Sequence, residues 1–349
     1  MPPVFQKTQR KKFNSFFAFS FALMATLRPI FCLDETTKHM DLPLAKSPLS
    51  LIVTADDFGF GVPTSRGIIR AHQAGVVTST SLMVVTGDHA GASILLLKDA
   101  PNLEVGLHLV LTGPAQKPLV AGKTSGLVTR HGTFNPLGKL LWIAWRRKLD
   151  RNAVIDEICA QAQRFTALLG RPPAYVDGHH HSHQLPVIRE ALVDAMKLGV
   201  LPKITRCTIE PPSIRSTVGG SRLRRAVMHH LGSTAQSTFA DAGIWTNDSC
   251  FGMIGARELK QPQPWADYFN HLPGHGAIEW FVHPGEQDDS LVGRDTYIGE
   301  RQVELDALVR LGDSPEWVPW AKRRTTKSAY CGGTGFQPVS ANTPLNDCA

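Results

Sequence analysis

Short apolar runs alternate with amphipathic helical patterns along most of this chain. The runs, several of them β-branched, lie at 51–55, 80–85, 105–110, 174–177, 203–206 and 278–283. Helical patterns lie at 63–73, 90–98, 153–169, 185–198 and 300–311. Strands that alternate with helices predict a parallel sheet, open or closed into a barrel, because parallel neighbours need a long crossover connection.

Carboxylates and imidazoles follow the carboxyl ends of the predicted strands. These groups are Asp56, Asp57, His108, Asp177, His179 and His283. The carboxyl ends of parallel strands share one edge of the sheet, and that edge carries the active site in open sheets and barrels alike. Four separate strands therefore deliver titratable groups to one rim.

The pair Asp56-Asp57 has two interpretations. An acidic turn after a strand commonly caps the next helix. Adjacent carboxylates also point in different directions, so one can ligate a metal while the other acts as a base.

Residues 179–183 contain four histidines, a density typical of a metal site. If the segment is extended, 179, 181 and 183 share one face. A carboxylate and two neutral imidazoles that leave coordination positions open form a common catalytic metal site. His108, between two leucines, could contribute an imidazole or be a buried structural histidine.

Two further residues have alternative interpretations. His283, before Pro-Gly, either ends a strand in a turn or acts as a general acid. Arg206 either binds an anion or a sugar hydroxyl, or is an ion-paired surface residue. The sequence contains no G-x-S-x-G, P-loop, G-x-G-x-x-G or H-E-x-x-H motif, which argues against serine hydrolases, kinases and simple dehydrogenases.

The formal charge of +7 belongs to the two ends of the chain. Residues 1–50 hold seven basic and three acidic side chains, and residues 321–349 hold four and one. Residues 51–320 hold 26 of each. A nucleic-acid-binding core would carry its own positive field, so we expect no nucleic-acid partner.

The chain divides into an N-terminal extension (1–47), a catalytic domain (48–320) and a disordered tail (321–349). The extension has a basic start and a short apolar stretch, and it is an export signal or membrane anchor, a non-native start, or part of the fold. The cysteine spacing gives no disulfide framework, which favours a cytoplasmic location. Export or anchoring is the alternative if residues 1–30 are a signal.

Four motifs resemble the YdjC-type carbohydrate deacetylases, which include the chitooligosaccharide deacetylases. They are Thr-Ala-Asp-Asp-Phe-Gly at 54–59, Gly-Val-Val-Thr-Ser-Thr-Ser at 75–81, Gly-Leu-His-Leu at 106–109 and Tyr-Val-Asp-Gly-His-His-His-Ser-His at 175–183. The resemblance extends over residues 50–312 in the expected order. The Asp-Gly-His-His-His stretch and the region of Arg206 look most like the hopanoid-biosynthesis-associated branch.

The resemblance implies a distorted (β/α)-barrel-like single domain of the glycoside hydrolase/deacetylase type. It also implies a divalent metal, Mg²⁺ or Zn²⁺, and removal of an N-acetyl group from an amino sugar. By position, the ligands are Asp57, His108 and His179, Asp56 is the general base and His283 the general acid. The remaining candidates, which orient these groups or contact the substrate, are Asp177, His181 and Arg206.

Three function classes stay open from sequence. The first is the deacetylase, acting on an oligosaccharide or a hopanoid glycolipid. The second is a metal-dependent phosphodiesterase, which would need more carboxylates and a more basic pocket. The third is a non-catalytic sugar- or lipid-binding protein. Membrane proximity and a homodimer are both compatible with the sequence.

Overall fold

A computed structural model describes residues 48–332, except 121–125, 218–220, 255–257, 262 and 296. The described residues form one α/β domain around a nine-stranded sheet. No helix in this part of the chain has both the length and the apolarity to cross a membrane. The predicted extension 1–47 and residues 333–349 lie outside the described residues.

All strand pairs in the sheet are parallel, as the sequence predicts. Their order is β6-β5-β4-β3-β2-β1-β8-β7, and β9 also pairs with β1. The strands are β1 Ser50–Phe58, β2 Ser79–Leu82, β3 Glu104–Leu109, β4 Val176–Gly178, β5 Ile204–Thr205, β6 Trp245–Thr246, β7 Ser249–Phe251, β8 Ala277–Val282 and β9 Arg324–Thr325.

The two edge strands, β6 and β7, are consecutive in the chain and are separated only by Asn247 and Asp248. The sheet therefore curls back towards itself. The Asn247 side-chain amide spans the gap: its nitrogen donates to the carbonyls of Cys207 and Ser249, and its oxygen accepts from the Cys207 N–H. The distorted (β/α)-barrel-like fold is confirmed.

Helices connect the strands at most of the predicted positions. Asp150 begins the longest predicted helix by accepting two backbone N–H bonds, and Gly170 ends it in a left-handed conformation. The helices are α1 Val62–Gln73, α2 Asp88–Ile94, α3 Leu137–Trp145, α4 Arg151–Leu169, α5 Ile188–Lys197, α6 Pro212–Thr217, α7 Arg222–Asp241, α8 Ala266–Phe269, α9 Gly299–Gly312, α10 Val318–Ala321 and α11 Lys327–Gly332.

Strand β1 lies inside the sheet between β2 and β8, and its residues 51–58 are all buried. Both faces of a central parallel strand are covered, which explains its nearly continuous apolar run. The exceptions to that apolar run include Asp56 and Asp57 at the carboxyl end. Buried carboxylates are costly unless they are paired, so their partners define the site.

The predicted disordered tail begins too early. Residues 324–325 form β9, which pairs with β1, and residues 327–332 form α11. The side chain of Lys327 is fully buried. The basic run looked like a solvated tail because its local pattern is polar, whereas a buried carboxylate elsewhere in the fold compensates its last lysine.

Candidate active site

At the end of β1, two consecutive carboxylates, those of Asp56 and Asp57, point into the same site. In a regular strand, Asp56 and Asp57 would face opposite sides of the sheet. The register with β2 is irregular between Ala55 and Phe58, and Asp57 has a φ of 71°. This left-handed conformation is uncommon for a residue with a side chain, although aspartate tolerates it better than most. Both side chains are consequently buried at the same edge.

Asp57 lies against two imidazoles. Its Oδ1 is 3.2 Å from Nε2 of His108 and 3.0 Å from Nδ1 of His179. The three ligand atoms lie within 4.8 Å of one another, and all three residues are buried. The structure thus brings together the three residues that the resemblance assigned to the metal.

Asp177 holds the His108 ring from the other side. The two residues are register partners on neighbouring strands β3 and β4. Nδ1 of His108 donates to Oδ1 of Asp177 at 2.7 Å, which leaves Nε2 directed at Asp57. A carboxylate on the far nitrogen fixes the tautomer and orientation of a ligating histidine. The sequence suggested that Asp177 orients an imidazole, and the structure shows which one.

The pocket is strongly negative. Burial by itself lowers the pKa of the His108 imidazole, but Asp177 and Asp57 outweigh it and raise that pKa to about 10. Burial by itself raises the pKa of Asp57, but the Arg301 guanidinium and the imidazoles of His179 and His108 hold it well below its usual range. Asp57 is therefore ionised at neutral pH.

Replacing Asp177 with asparagine is expected to weaken metal binding about 10- to 100-fold, the usual cost of losing a partner of a ligating histidine. The asparagine side chain would keep the shape of the aspartate but lose the charge that orients the His108 ring. Titration of the purified variant with Zn²⁺ by calorimetry measures the effect. An unchanged affinity in a folded variant would contradict this role for Asp177.

Arg206 is fully buried and bound to three carboxylates. Its two terminal nitrogens contact the oxygens of Asp56 at 2.6 and 2.7 Å. Nη2 also lies 2.8 Å from Asp177, and Nε donates to Glu279 at 2.8 Å. The surface alternative for Arg206 is wrong, because β5 ends inside the curled sheet. These bonds orient Asp56 on both of its oxygens.

Other charged members of the site were not recognised from sequence. Arg301 on α9 contacts Asp57 at 2.6 Å and Asp295 at 2.7 Å. Lys327 contacts Glu279 at 2.7 Å. Glu279 had a local signal, a carboxylate within the apolar strand β8. The others lie on loops and helices whose local pattern does not distinguish them from surface residues.

These ion pairs form two buried groups, and His108, which contacts both Asp57 and Asp177, joins them into one network around the candidate ligands. With the imidazoles neutral, the form in which histidines ligate a metal, the network has five carboxylates against three cations, a net charge of −2. A divalent cation would balance this charge, and the Asp-His-His donor set suits zinc and also accepts other divalent ions. The members are Asp56, Asp57, Asp177, Glu279, Asp295, Arg206, Arg301 and Lys327.

His283 reaches the same site from the end of β8. Its Nε2 is 3.9 Å from Oδ2 of Asp56, and 29% of its side chain is exposed. Burial lowers the pKa of this imidazole. Gly67 on α1 allows the turn after His283 to pack closely, since a Cβ there would lie 2.6 Å from Cα of Gly285. The position between a buried carboxylate and solvent suits a proton donor to a substrate.

The histidine cluster is not extended. Residues 179–184 form 3-10 turns interrupted by a kink, at which His180 and His181 have left-handed φ values of 54°. Only His179 of the cluster joins the ligand group. The His181 ring packs edge-on against Phe281 at 4.9 Å, and His183 lies 2.8 Å from the Arg206 carbonyl. Burial lowers the pKa of His183 to about 4, so it is a neutral structural residue.

Fold and site together define a (β/α)-barrel-like protein with a buried carboxylate–imidazole site at the carboxyl edge of its sheet. Comparison with protein families gives a match to the YdjC-like protein model over residues 50–311. The chain belongs to this family.

Curated relatives and a solved structure match most of the chain. A chitooligosaccharide deacetylase of Serratia marcescens is 45% identical over 261 residues, which cover 74% of this chain and 90% of the relative. One from Salmonella schwarzengrund (strain CVM19633) is 38% identical over 265 residues, with the same coverage. The crystal structure of a putative cellobiose-phosphate cleavage protein from Enterococcus faecalis V583 matches with a TM-score of 0.62 and 22% identity, covering 81% of this chain and 99% of that one. The solved structure supports the fold.

Proposed function

We propose that this protein is a metal-dependent hydrolase that removes the N-acetyl group from an N-acetylated amino sugar and releases acetate. The observation that carries the proposal is the convergence of Asp57, His108 and His179 beside a second buried carboxylate, Asp56. The activity named for the curated relatives supports the same reaction. The net charge of the site favours a cation there, and a bound divalent cation would bring that charge only to zero, which offers no attraction to an anionic phosphodiester.

Asp57, Nε2 of His108 and Nδ1 of His179 would hold the metal. A divalent cation bound there supplies a Lewis acid beside the acetamide carbonyl of the substrate, whose amide is otherwise a poor electrophile. Asp177 keeps Nε2 of His108 free to ligate by occupying Nδ1. Arg301 holds the second oxygen of Asp57 at 2.6 Å, which leaves Oδ1 for the cation.

Asp56 and His283 share the two proton transfers. Asp56 takes a proton from the attacking water, and Arg206 holds both of its oxygens in place during this step. As the C–N bond breaks, the protonated form of His283, which the lowered pKa makes a stronger acid, transfers its proton to the departing nitrogen, so the amine leaves neutral. The products are acetate and a free amino sugar. His283 is exposed enough to contact a substrate, whereas Asp56 is shielded from bulk water.

For the substrate, we propose an oligosaccharide or an N-acetylated hopanoid glycolipid. The name of the relatives supports the first, and the likeness of residues 177–181 and the region of Arg206 to the hopanoid-associated branch supports the second. We propose Zn²⁺ or Mg²⁺ as the metal. From the sequence, we propose that the protein is cytoplasmic unless residues 1–30 act as a signal. The sequence is also compatible with a location near a membrane and with a homodimer. Mass spectrometry of the native N-terminus tests the question of a signal.

An acetate-release screen tests the reaction. The substrates are N-acetylglucosamine, chitobiose and an N-acetylglucosaminyl lipid, each assayed with Zn²⁺, Mg²⁺ and a chelator. We expect acetate from at least one substrate, and loss of release with the chelator. Phosphate release from a phosphodiester without any acetate would favour the second function class instead. Binding of sugar without turnover would favour the third.

The Asp56→Asn variant tests the general base. Because asparagine cannot accept the water proton, kcat is expected to fall by roughly 10²- to 10⁴-fold, the usual contribution of a positioned base. The metal content should stay close to that of the parent, since Asp56 is not among the proposed ligands. A variant that retains parental kcat would remove Asp56 from the proposed mechanism.

A further inference from the structure

The C-terminal segment beyond the family match docks against the amino-terminal half of β1. The family model ends at residue 311, whereas β9 lies at Arg324–Thr325. Its residues pair with Leu51 and Ile52, at the stretch of β1 that precedes the first partner of β2, Thr54. This segment therefore occupies a part of β1 that β2 leaves uncovered.

Docking of the segment is fixed by hydrogen bonds to Glu104 at the start of β3. The backbone N–H groups of Lys327 and Ser328 donate to its carboxylate at 3.0 and 2.9 Å, and the Ser328 hydroxyl donates as well. These contacts provide hydrogen-bond acceptors for backbone N–H groups in the first turn of α11. They do not involve the catalytic edge, which lies at the other end of the strands.

The Lys327 side chain then enters the interior and is completely buried. Its Nζ lies 2.7 Å from Oε1 of Glu279 and 3.6 Å from the centre of the Tyr175 ring. Lysine is rarely fully buried, because the ammonium loses its hydration. An ion pair and an aromatic face compensate that loss here. If the Lys327 side chain only filled space in the interior, an apolar side chain of the same size would be sufficient.

Three short contacts connect this ammonium to the proposed base. Oε1 of Glu279 lies 2.7 Å from Nζ of Lys327 and accepts from Nε of Arg206 at 2.8 Å. The terminal nitrogens of Arg206 hold Asp56. Lys327, Glu279 and Arg206 are all fully buried, and 2% of Asp56 is exposed. Arg206 binds three carboxylates, so the position of the Glu279 carboxylate affects how the guanidinium is aligned with Asp56.

We propose that Lys327 is a positioning residue for the reaction: through Glu279 and Arg206 it holds Asp56 in its working orientation. The ammonium neutralises Glu279 and holds its Oε1 in place, which in turn aligns the guanidinium with both oxygens of Asp56. The inference rests on the proposed function, in which Asp56 is the general base. It adds a contribution to catalysis from a C-terminal segment that lies outside the family match.

The test compares Lys327→Met, which keeps most of the length and removes the charge, with Ser328→Ala, which weakens docking of the same segment to Glu104. Both are made in the full chain and assayed for acetate release. We expect Lys327→Met to lower kcat about 10-fold, a part of the roughly 10²- to 10⁴-fold contribution of a positioned base, with KM unchanged. Ser328→Ala should keep parental kcat. Parental kcat in Lys327→Met, or an equal loss in Ser328→Ala, would overturn the proposal.

A second variant covers the case in which Lys327→Met does not fold. The double substitution Lys327→Met with Glu279→Gln removes both charges, so no ion is left buried without a partner. It is expected to fold and to show the same reduced kcat with unchanged KM. Parental kcat in this double variant would overturn the proposal as well.

A stability measurement separates this inference from the proposed function. The melting temperatures of Lys327→Met, Asp56→Asn and the variant that combines these two substitutions are compared with the parent. Residues that do not touch usually act additively unless a network couples them, so we expect non-additive shifts. If the parent releases no acetate, the proposed function fails while this coupling can still be found. Additive shifts would overturn the connection between Lys327 and Asp56.

Discussion

Replacing Asp57 with asparagine is expected to reduce acetate release by on the order of 10³-fold, because a catalytic metal contributes several kcal/mol and each 1.36 kcal/mol corresponds to tenfold in rate. Oδ1 of Asp57 faces both His108 and His179, so this one carboxylate completes the donor set. Asparagine has nearly the same shape but no charge, and two neutral imidazoles alone bind a divalent ion weakly.

The measurement is kcat/KM together with metal content after purification. Asp99→Asn, an exposed aspartate, serves as the matched control and should behave as the parent. A folded Asp57→Asn variant that retains both metal and activity would contradict the proposed ligand set. Loss of activity with full metal content would instead show that Asp57 contributes to the reaction in a way other than metal binding.

Replacing Arg206 with methionine is expected to lower the free energy of unfolding by about 3–5 kcal/mol, as when one partner of a buried ion pair is removed. The loss leaves Asp56, Asp177 and Glu279 in the interior without their shared cation. Their desolvation is no longer compensated, and their mutual repulsion increases. Urea denaturation followed by circular dichroism measures the change.

Arg66→Met is the matched control, because Arg66 forms an ion pair with Glu286 on the surface and 48% of its side chain is exposed. An exposed pair of this kind is worth about 0–1 kcal/mol, since water and salt screen it. Similar losses in the two variants would contradict the central role of the Arg206 ion pairs. A larger loss in Arg206→Met supports it.

The sequence predicted the parallel sheet well because hydrophobic periodicity is local. Strand β1 and helices α1 and α4 were placed within a few residues, each having an apolar pattern bounded by glycine or proline. Strands β6 and β7 were missed. They have two and three residues, too few for a pattern to show, and they exist because neighbouring strands supply their hydrogen bonds.

The sequence predicted those site residues whose carboxylates or imidazoles lie at the end of a strand. Asp57, His108 and His179 were found because parallel strands end at one edge, and the structure brings them together. An extended segment 179–183, the condition under which 179, 181 and 183 would share one face, is not what the structure shows. A 3-10 turn with left-handed His180 and His181 replaces it, a backbone conformation that no local pattern indicates.

By itself, the sequence determined the strand–helix alternation, the family and the edge of the sheet that carries the titratable groups. These follow from periodicity and from motifs contiguous in the chain. Only the tertiary structure decided which charges pair. Arg206 and Arg301 reach Asp56 and Asp57 across 150 and 244 residues of chain, respectively. Coulomb attraction in a buried site depends on distance in space, which no local pattern encodes, so the charge balance around the proposed metal emerges only once the sheet has curled.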